Sequence, residues 1–212
     1  MAKRRKVGNP MALMVMATLA ERPMHPYEMA RVWRERGQES NWDIKWGSLY
    51  TVVNNLEKHG LIEVTDTVRD GRRPERTIYT ITPEGRDEME DWLEELVTVP
   101  EREFPRFASA LSLLGIIPPD EAIRMLERRL KLLRMDNAAR RAGLTEIARE
   151  VPRLFLIEEE YSIALAEAEE VWIVDLLEQL GSGDLPGVKE WRHFHDSRDL
   201  HPSLLKGEAQ GD

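Results

Sequence analysis

The stretch that most constrains this chain runs from Trp46 to Ile62, WGSLYTVVNNLEKHGLI. At a helical period Leu49, Val52, Val53 and Leu56 fall on one face, and Ser48, Thr51, Asn54, Asn55 and Lys58 fall on the other. The first face can pack against a core. The second carries hydroxyls, side-chain amides and one cation, groups that hydrogen-bond base edges and phosphates, where an ordinary solvated helix would carry a Glu/Lys mixture. Gly60 predicts the helix stop. Leu61, Ile62 and Val64 then open a strand, an arginine-rich turn follows, and a second strand is expected from Thr77 to Thr82. Helix, short hairpin and basic tip in that order describe a winged helix-turn-helix.

The tip, Arg69-Asp-Gly-Arg-Arg-Pro-Glu-Arg76, combines a glycine that permits the turn with four arginines, Arg69, Arg72, Arg73 and Arg76. Arginine forks suit phosphate oxygens and enter narrow minor grooves. In a helix-turn-helix the N-terminal half of the second helix enters the major groove, so Ser48, Thr51, Asn54 and Asn55 would face base edges and Tyr50 the phosphate backbone. The net charge of -9 argues against a polyanionic partner only if taken whole. Residues 1–86 hold 15 Lys plus Arg against 11 Asp plus Glu, a balance of +4; residues 87–212 hold 15 against 28, a balance of -13. The basic half suits double-stranded DNA and the acidic half would stand away from it.

Three blocks, HPYEM at His25 to Met29, GSLYTVVNNLEKHGLI at Gly47 to Ile62 and RPERTIYTITPEGR at Arg73 to Arg86, together resemble the signature of the PadR family of bacterial transcriptional regulators. The resemblance covers roughly the first 95 residues. It implies a winged helix-turn-helix, with the Leu49–Tyr50 pair standing where PadR-like recognition helices carry Leu-Tyr. It further implies that Trp92 lines an inter-subunit cavity for a small planar aromatic effector, core or dimer packing being the alternative that its helical spacing offers, and that the extended C-terminal region embraces a partner subunit.

The fold class expected is mainly α, a winged helix-turn-helix (α+β) followed by long helices. Residues 1–9, with four consecutive cations, read as a basic flexible arm. Residues 10–98 read as the DNA-binding domain, 103–181 as a helical dimerisation domain after Pro100 and Pro105, and 182–212 as a C-terminal tail or strap. Within the first domain, helix 1 spans Met11 to about Glu21, helix 2 runs from Pro26 to Gly37 with Trp33 in the core, and Thr82-Pro-Glu-Gly caps a fourth helix carrying Met89, Trp92, Leu93 and Leu96. His25 is expected to cap helix 2, not to bind a ligand. Beyond Pro119 a long helix bears the seam Ile123, Leu126, Leu130 and Leu133. The last, Arg153 to Leu180, bears Ile157, Tyr161, Ala164, Leu165, Ala168, Trp172 and Leu176 opposite an acidic side. Two such helices cannot bury both seams on each other, so a second copy of the chain is the expected cover, with Leu126, Leu130, Leu133, Ile157, Tyr161, Leu165, Ala168 and Trp172 at the dimer contact. Trp172 joins Trp92 as an effector-pocket candidate.

Other classes lose ground on specific absences in the sequence. There is no cysteine, hence no disulfide framework or thiolate chemistry, which fits a reducing cytoplasm. No glycine-rich phosphate loop, G-x-S-x-G or HExxH occurs, and the carboxylates lie in solvated runs, so neither an enzyme nor a cofactor is expected. HFHDSRDLH, His193 to His201, has metal-like composition without the framework that fixes ligand geometry, and no metal is expected. The longest apolar run, Met11 to Ala20, is too short to span a bilayer, so no membrane or secretory role is expected. A protein-interaction module on a winged-helix scaffold, and an enzyme built on the acidic helices, are the readings that compete.

Overall fold

The computed structural model describes residues 5–37, 46–68, 76–100 and 102–197 and divides the chain into two compact units, 1–102 and 103–212.

The first unit is built around α1, Pro10–Glu21, whose residues Met11 to Met16, Thr18 and Leu19 are all buried. Asn9 accepts a hydrogen bond from the Met11 amide at 3.0 Å and starts the helix. The Trp33 indole donates to Thr18 Oγ1 at 2.7 Å, and Thr18 in turn donates to the Met14 carbonyl at 2.7 Å, so the largest core side chain leaves no polar atom unpaired. Trp33 lies on α2, Pro26–Glu35, and Leu49, Val52, Val53 and Leu56 of α3, Leu49–Lys58, fill the same core. Strands β1, Ile62–Val68, and β2, Arg76–Ile81, pair antiparallel from Ile62 opposite Ile81 to Val68 opposite Arg76, with a bulge between Val64 and Asp66. The pairing extends further toward the tip than the strands expected from hydrophobic alternation. Met24 bridges the other edge of β2 from a third segment, its amide donating to the Tyr79 carbonyl at 3.1 Å and its carbonyl accepting from the Tyr79 amide at 3.2 Å.

The chain then enters α4, Pro83–Thr98. Thr82 caps it by accepting from the Gly85 amide at 3.0 Å while donating to the Gly60 carbonyl at 2.7 Å, which ties the end of α3 to the start of α4. Within the segment expected as a basic flexible arm, Arg5 is held against α4. Its side chain is 4% exposed, bound to Glu88 at 2.8 Å, Asp91 at 3.0 Å and Glu95, three carboxylates on one face of α4, with the guanidinium 5.0 Å from the Trp92 ring centroid. Burial opposes the Arg5 charge, but the three hydrogen-bonded carboxylates outweigh it and raise the pKa above its ordinary value. A three-carboxylate face inside the chain's own fold competes with phosphate for this cation. Residues 1–4 lie outside the described residues.

The second unit comprises α5, Arg106–Leu111, then α6, Pro119–Ile147, α7, Ile157–Ser182, and α8, Val188–Ser197. Arginines of α6 meet glutamates of α7 in a ladder, Arg129 with Glu169 at 2.6 Å, Arg134 with Glu170 at 2.8 Å, Arg140 with Glu159 at 2.8 Å, and Arg141 with Glu167. The hydrogen bond from Arg140 holds the Glu159 pKa below its ordinary value. Helix α8 stands where loop composition led to the expectation of a tail or a docking strap. Its Trp191 indole donates to the Ile117 carbonyl at 2.9 Å and Arg192 pairs with Asp120 at 2.6 Å, so the segment docks on the body of its own unit.

One core position breaks polar bookkeeping. Asn137 of α6 is 4% exposed and neither amide atom has a hydrogen-bond partner in the structure. Asn137→Leu removes two desolvated polar atoms at similar volume and is expected to stabilise the unit by about 1–3 kcal/mol. Thermal melting should rise by several degrees, at about 2–4 °C per kcal/mol for a chain of this size; an unchanged or lower midpoint would show that the amide is satisfied by water.

Candidate nucleic-acid interface

Helix α3 separates its faces as its period dictates: Leu49, Val52, Val53 and Leu56 are buried, and Tyr50, Thr51, Asn54, Asn55 and Lys58 are exposed, Tyr50 at 55%. Ser48 is half-buried in the short 3-10 turn Trp46–Ser48 that precedes the helix, its hydroxyl 3.9 Å from Met11 Sδ. It is the N-cap residue of α3 but makes no side-chain cap hydrogen bond, the turn leading the chain directly into the helix. The C-terminus closes as expected. Gly60 sits at φ +73°, its amide donating to Glu57 and the Leu61 amide to Leu56 at 3.0 Å, the paired bonds of a Schellman stop.

Two contacts that no periodicity reveals hold this face in place. Burial first, then the charge of the nearby Glu57 carboxylate, raise the Tyr79 pKa. Tyr79 is central in the sheet and lies in the same core as Leu56 of α3, so β2 and α3 share one packed interior. At the other end His25 caps α2, Nδ1 accepting from the Tyr27 amide at 3.0 Å, and its ring meets Tyr50 edge-on, centroids 6.5 Å apart at 68°. Tyr27 itself is 66% exposed. Arg34 lies 4.6 Å over the Trp46 ring, and Trp46 leans on Trp33 at 6.2 Å. Trp42 lies outside the described residues.

The arginines of α2 and of its C-terminal end are not equally available. Arg36 grips Glu21 through two bonds of 2.6 Å, which lowers the Glu21 pKa and raises that of Arg36, and Arg31 faces Glu35 at 3.5 Å. The wing arginines Arg69, Arg72 and Arg73 lie outside the described residues; the backbone of Arg76 opens β2, level with Val68.

The two effector candidates fall in different units. Trp92 is 7% exposed in the core of the first, beneath Arg5. Trp172 is 45% exposed in the second, edge-on to Phe107 at 6.2 Å, and Arg129 lies 3.8 Å over Phe107. A cavity of about 390 Å³ between α6 and α7 is lined by Arg141, Leu144, Thr145, Ile163 and Glu167 among others, and neither tryptophan reaches it. Among the dimer candidates, Leu126 and Leu130 are buried within their own unit with Ile173, Leu180 and Val188, and Leu133 is half-buried against the same cluster. The seam of α6 is covered by the chain itself. Ile157, Tyr161, Leu165, Ala168 and Trp172 of α7 remain exposed. Among the described residues no three His, Asp or Glu side chains gather as a metal site, and no helix is long and apolar enough to cross a membrane.

Residues 15–91 match the model of the transcriptional regulator PadR-like family. No curated protein matches the chain. Among solved structures, Bacillus subtilis PadR in complex with operator DNA superposes at a TM-score of 0.66, 16% identical, over 81% of this chain and 99% of that one. The same protein in complex with p-coumaric acid gives 0.62 at 15% identity, over 81% and 98%. The Vibrio cholerae virulence activator AphA gives 0.61 at 16% identity, over 81% and 98%. These likenesses show a shared fold, a PadR-like winged helix with long C-terminal helices.

Proposed function

We propose that this chain, a transcriptional regulator of the PadR-like family through its residues 15–91, binds operator DNA as a symmetric homodimer and represses transcription until a small aromatic ligand releases it. The observation that carries the reading is α3 itself: a helix half buried in the core, half an exposed row of Tyr50, Thr51, Asn54, Asn55 and Lys58, its buried side sharing one core with Tyr79 of the wing strand. Asn54 and Asn55 offer paired donors and acceptors to base edges, Thr51 and Ser48 single ones, and Tyr50 and Lys58 suit phosphate. Arg69, Arg72, Arg73 and Arg76 of the wing would extend the contact along the backbone. A two-fold dimer places its recognition helices about 34 Å apart, one turn of duplex. The structures of Bacillus subtilis PadR with operator DNA and with p-coumaric acid lend support by analogy of fold.

Tyr50→Ala is expected to weaken duplex binding about tenfold, the loss of one hydrogen bond to a charged group, and Lys58→Ala to reduce the salt slope of binding by about one. Fluorescence anisotropy with a duplex selected by the protein from a randomised pool measures both. Binding that ignores salt and both substitutions would favour the protein-interaction reading. For the effector, Trp172 offers an exposed ring in the second unit, whereas Trp92 responds only if Arg5 leaves it. Titration of phenolic acids against tryptophan emission, repeated with Trp172→Phe, tests that assignment, and a promoter reporter tests the sign of regulation.

A further inference from the structure

We infer that His25 is a positioning residue of the DNA-reading face, setting the Tyr50 phenol through its ring and the start of α2 through its Nδ1 atom. The inference rests on the reading of α3 given above.

Tyr50 stands at the second residue of α3 with 55% of its surface exposed, so the helix backbone leaves its ring free to choose among staggered positions. The contact shown with another ring is His25, edge-on at 6.5 Å and 68°, a geometry in which a ring edge meets a π face. His25 is in turn fixed twice by its own helix. Its Nδ1 accepts from the Tyr27 amide at 3.0 Å, and its carbonyl accepts from the Glu28 and Met29 amides at 2.8 and 3.1 Å. An imidazole whose Nδ1 is committed to a cap cannot rotate without uncapping α2, so it gives Tyr50 a fixed wall. Asn, Asp, Ser or Thr would cap a helix at least as well as histidine. What they lack is a ring, and that is what Tyr50 meets. Tyr27, on the amide that the cap engages, is 66% exposed beside the same turn, so one side chain ties the front of α2 to the front of α3.

His25→Asn separates the two duties: the amide oxygen keeps the cap and the ring is lost. His25→Phe does the reverse. Both are compared with the natural protein and with Tyr50→Ala by anisotropy on a duplex selected from a randomised pool, each variant checked for its melting temperature and mass in solution. His25→Asn is expected to melt as the natural protein does and to bind DNA roughly two- to tenfold more weakly, the ratio to which an aromatic pair converts. In a Tyr50→Ala background it should change nothing further, because the effect passes through the phenol. His25→Phe should melt lower yet retain more DNA affinity than His25→Asn at a temperature where both are folded. Full affinity of His25→Asn, or a loss that simply adds to that of Tyr50→Ala, would overturn this inference alone. Full affinity of Tyr50→Ala would overturn the reading of α3 and this inference with it.

Discussion

Gly85→Ala is expected to lower the melting temperature by about 6–12 °C, the consequence of an overpacking cost of about 3 kcal/mol at about 2–4 °C per kcal/mol. A Cβ at this position would stand 1.9 Å from the Leu61 carbonyl oxygen and 2.9 Å from both the Leu61 carbonyl carbon and Ile81 Cγ1. Two of those three atoms are backbone, and neither can turn aside as a flexible side chain would. The Leu61 carbonyl accepts from the Thr82 amide at 3.2 Å, and its amide completes the stop of α3, so displacing it loosens the end of the recognition helix and the start of α4 together. Gly143 supplies the control. It also lies inside a helix, α6, but a Cβ there meets nothing within 4 Å, so Gly143→Ala should stabilise by about 0.5–1 kcal/mol through lost unfolded-state freedom alone. Thermal melts followed by circular dichroism read both changes. Equal midpoints for the two variants would mean that α4 does not sit against Leu61 as described.

The contrast between these glycines marks what a sequence can carry. Periodicity reports which side of a helix is apolar, and it did so for α3 because Leu49, Val52, Val53 and Leu56 meet one core from one helix. It does not report what covers that side. Leu126 and Leu130 formed a seam as regular as any, and it is covered by α7 and α8 of the same chain rather than by a second copy. Charge runs are similarly mute about partners. Arg5 belongs to a run of four cations, yet it lies 83 residues in sequence from Glu88, and only the fold brings the carboxylates of α4 beneath it. Helix α8 was hidden for another reason: Gly181, Gly183, Pro186 and Gly187 punctuate its approach, so the spacing of Val188 and Trp191 was too short to read against them. The candidate interface divides in the same way. Its exposed row on α3 was legible; the neighbours that bear on that row, His25 on Tyr50 and Tyr79 beside Glu57, are residues 25 and 22 positions apart and were not.

Leu165→Glu is expected to convert the proposed dimer to a single chain in solution and, through that, to weaken operator binding by about a hundredfold. Ile157, Tyr161, Leu165 and Trp172 recur along α7 and are 51%, 66%, 54% and 45% exposed, and Met125, Leu132 and Met135 of α6 add three more apolar side chains at 52–62%. Large apolar side chains left exposed at this spacing along a helix are what a second copy of the chain would cover. A carboxylate introduced at its middle would have to be desolvated without a partner, which costs more than the packing of one leucine contributes. Two half-sites held by one dimer gain about 10²–10⁴ in apparent affinity over one, so separating the chains forfeits that factor even though α3 and the wing are untouched. Leu126→Ala gives the complementary result. That side chain is buried within its own unit, so truncation should lower the melting temperature, at about 2–5 kcal/mol of stability, while the mass in solution stays that of the natural protein. Sedimentation equilibrium at micromolar concentration distinguishes the two. A Leu165→Glu protein that keeps the mass of the natural one would move the contact off this face of α7, and with it the spacing of the two recognition helices.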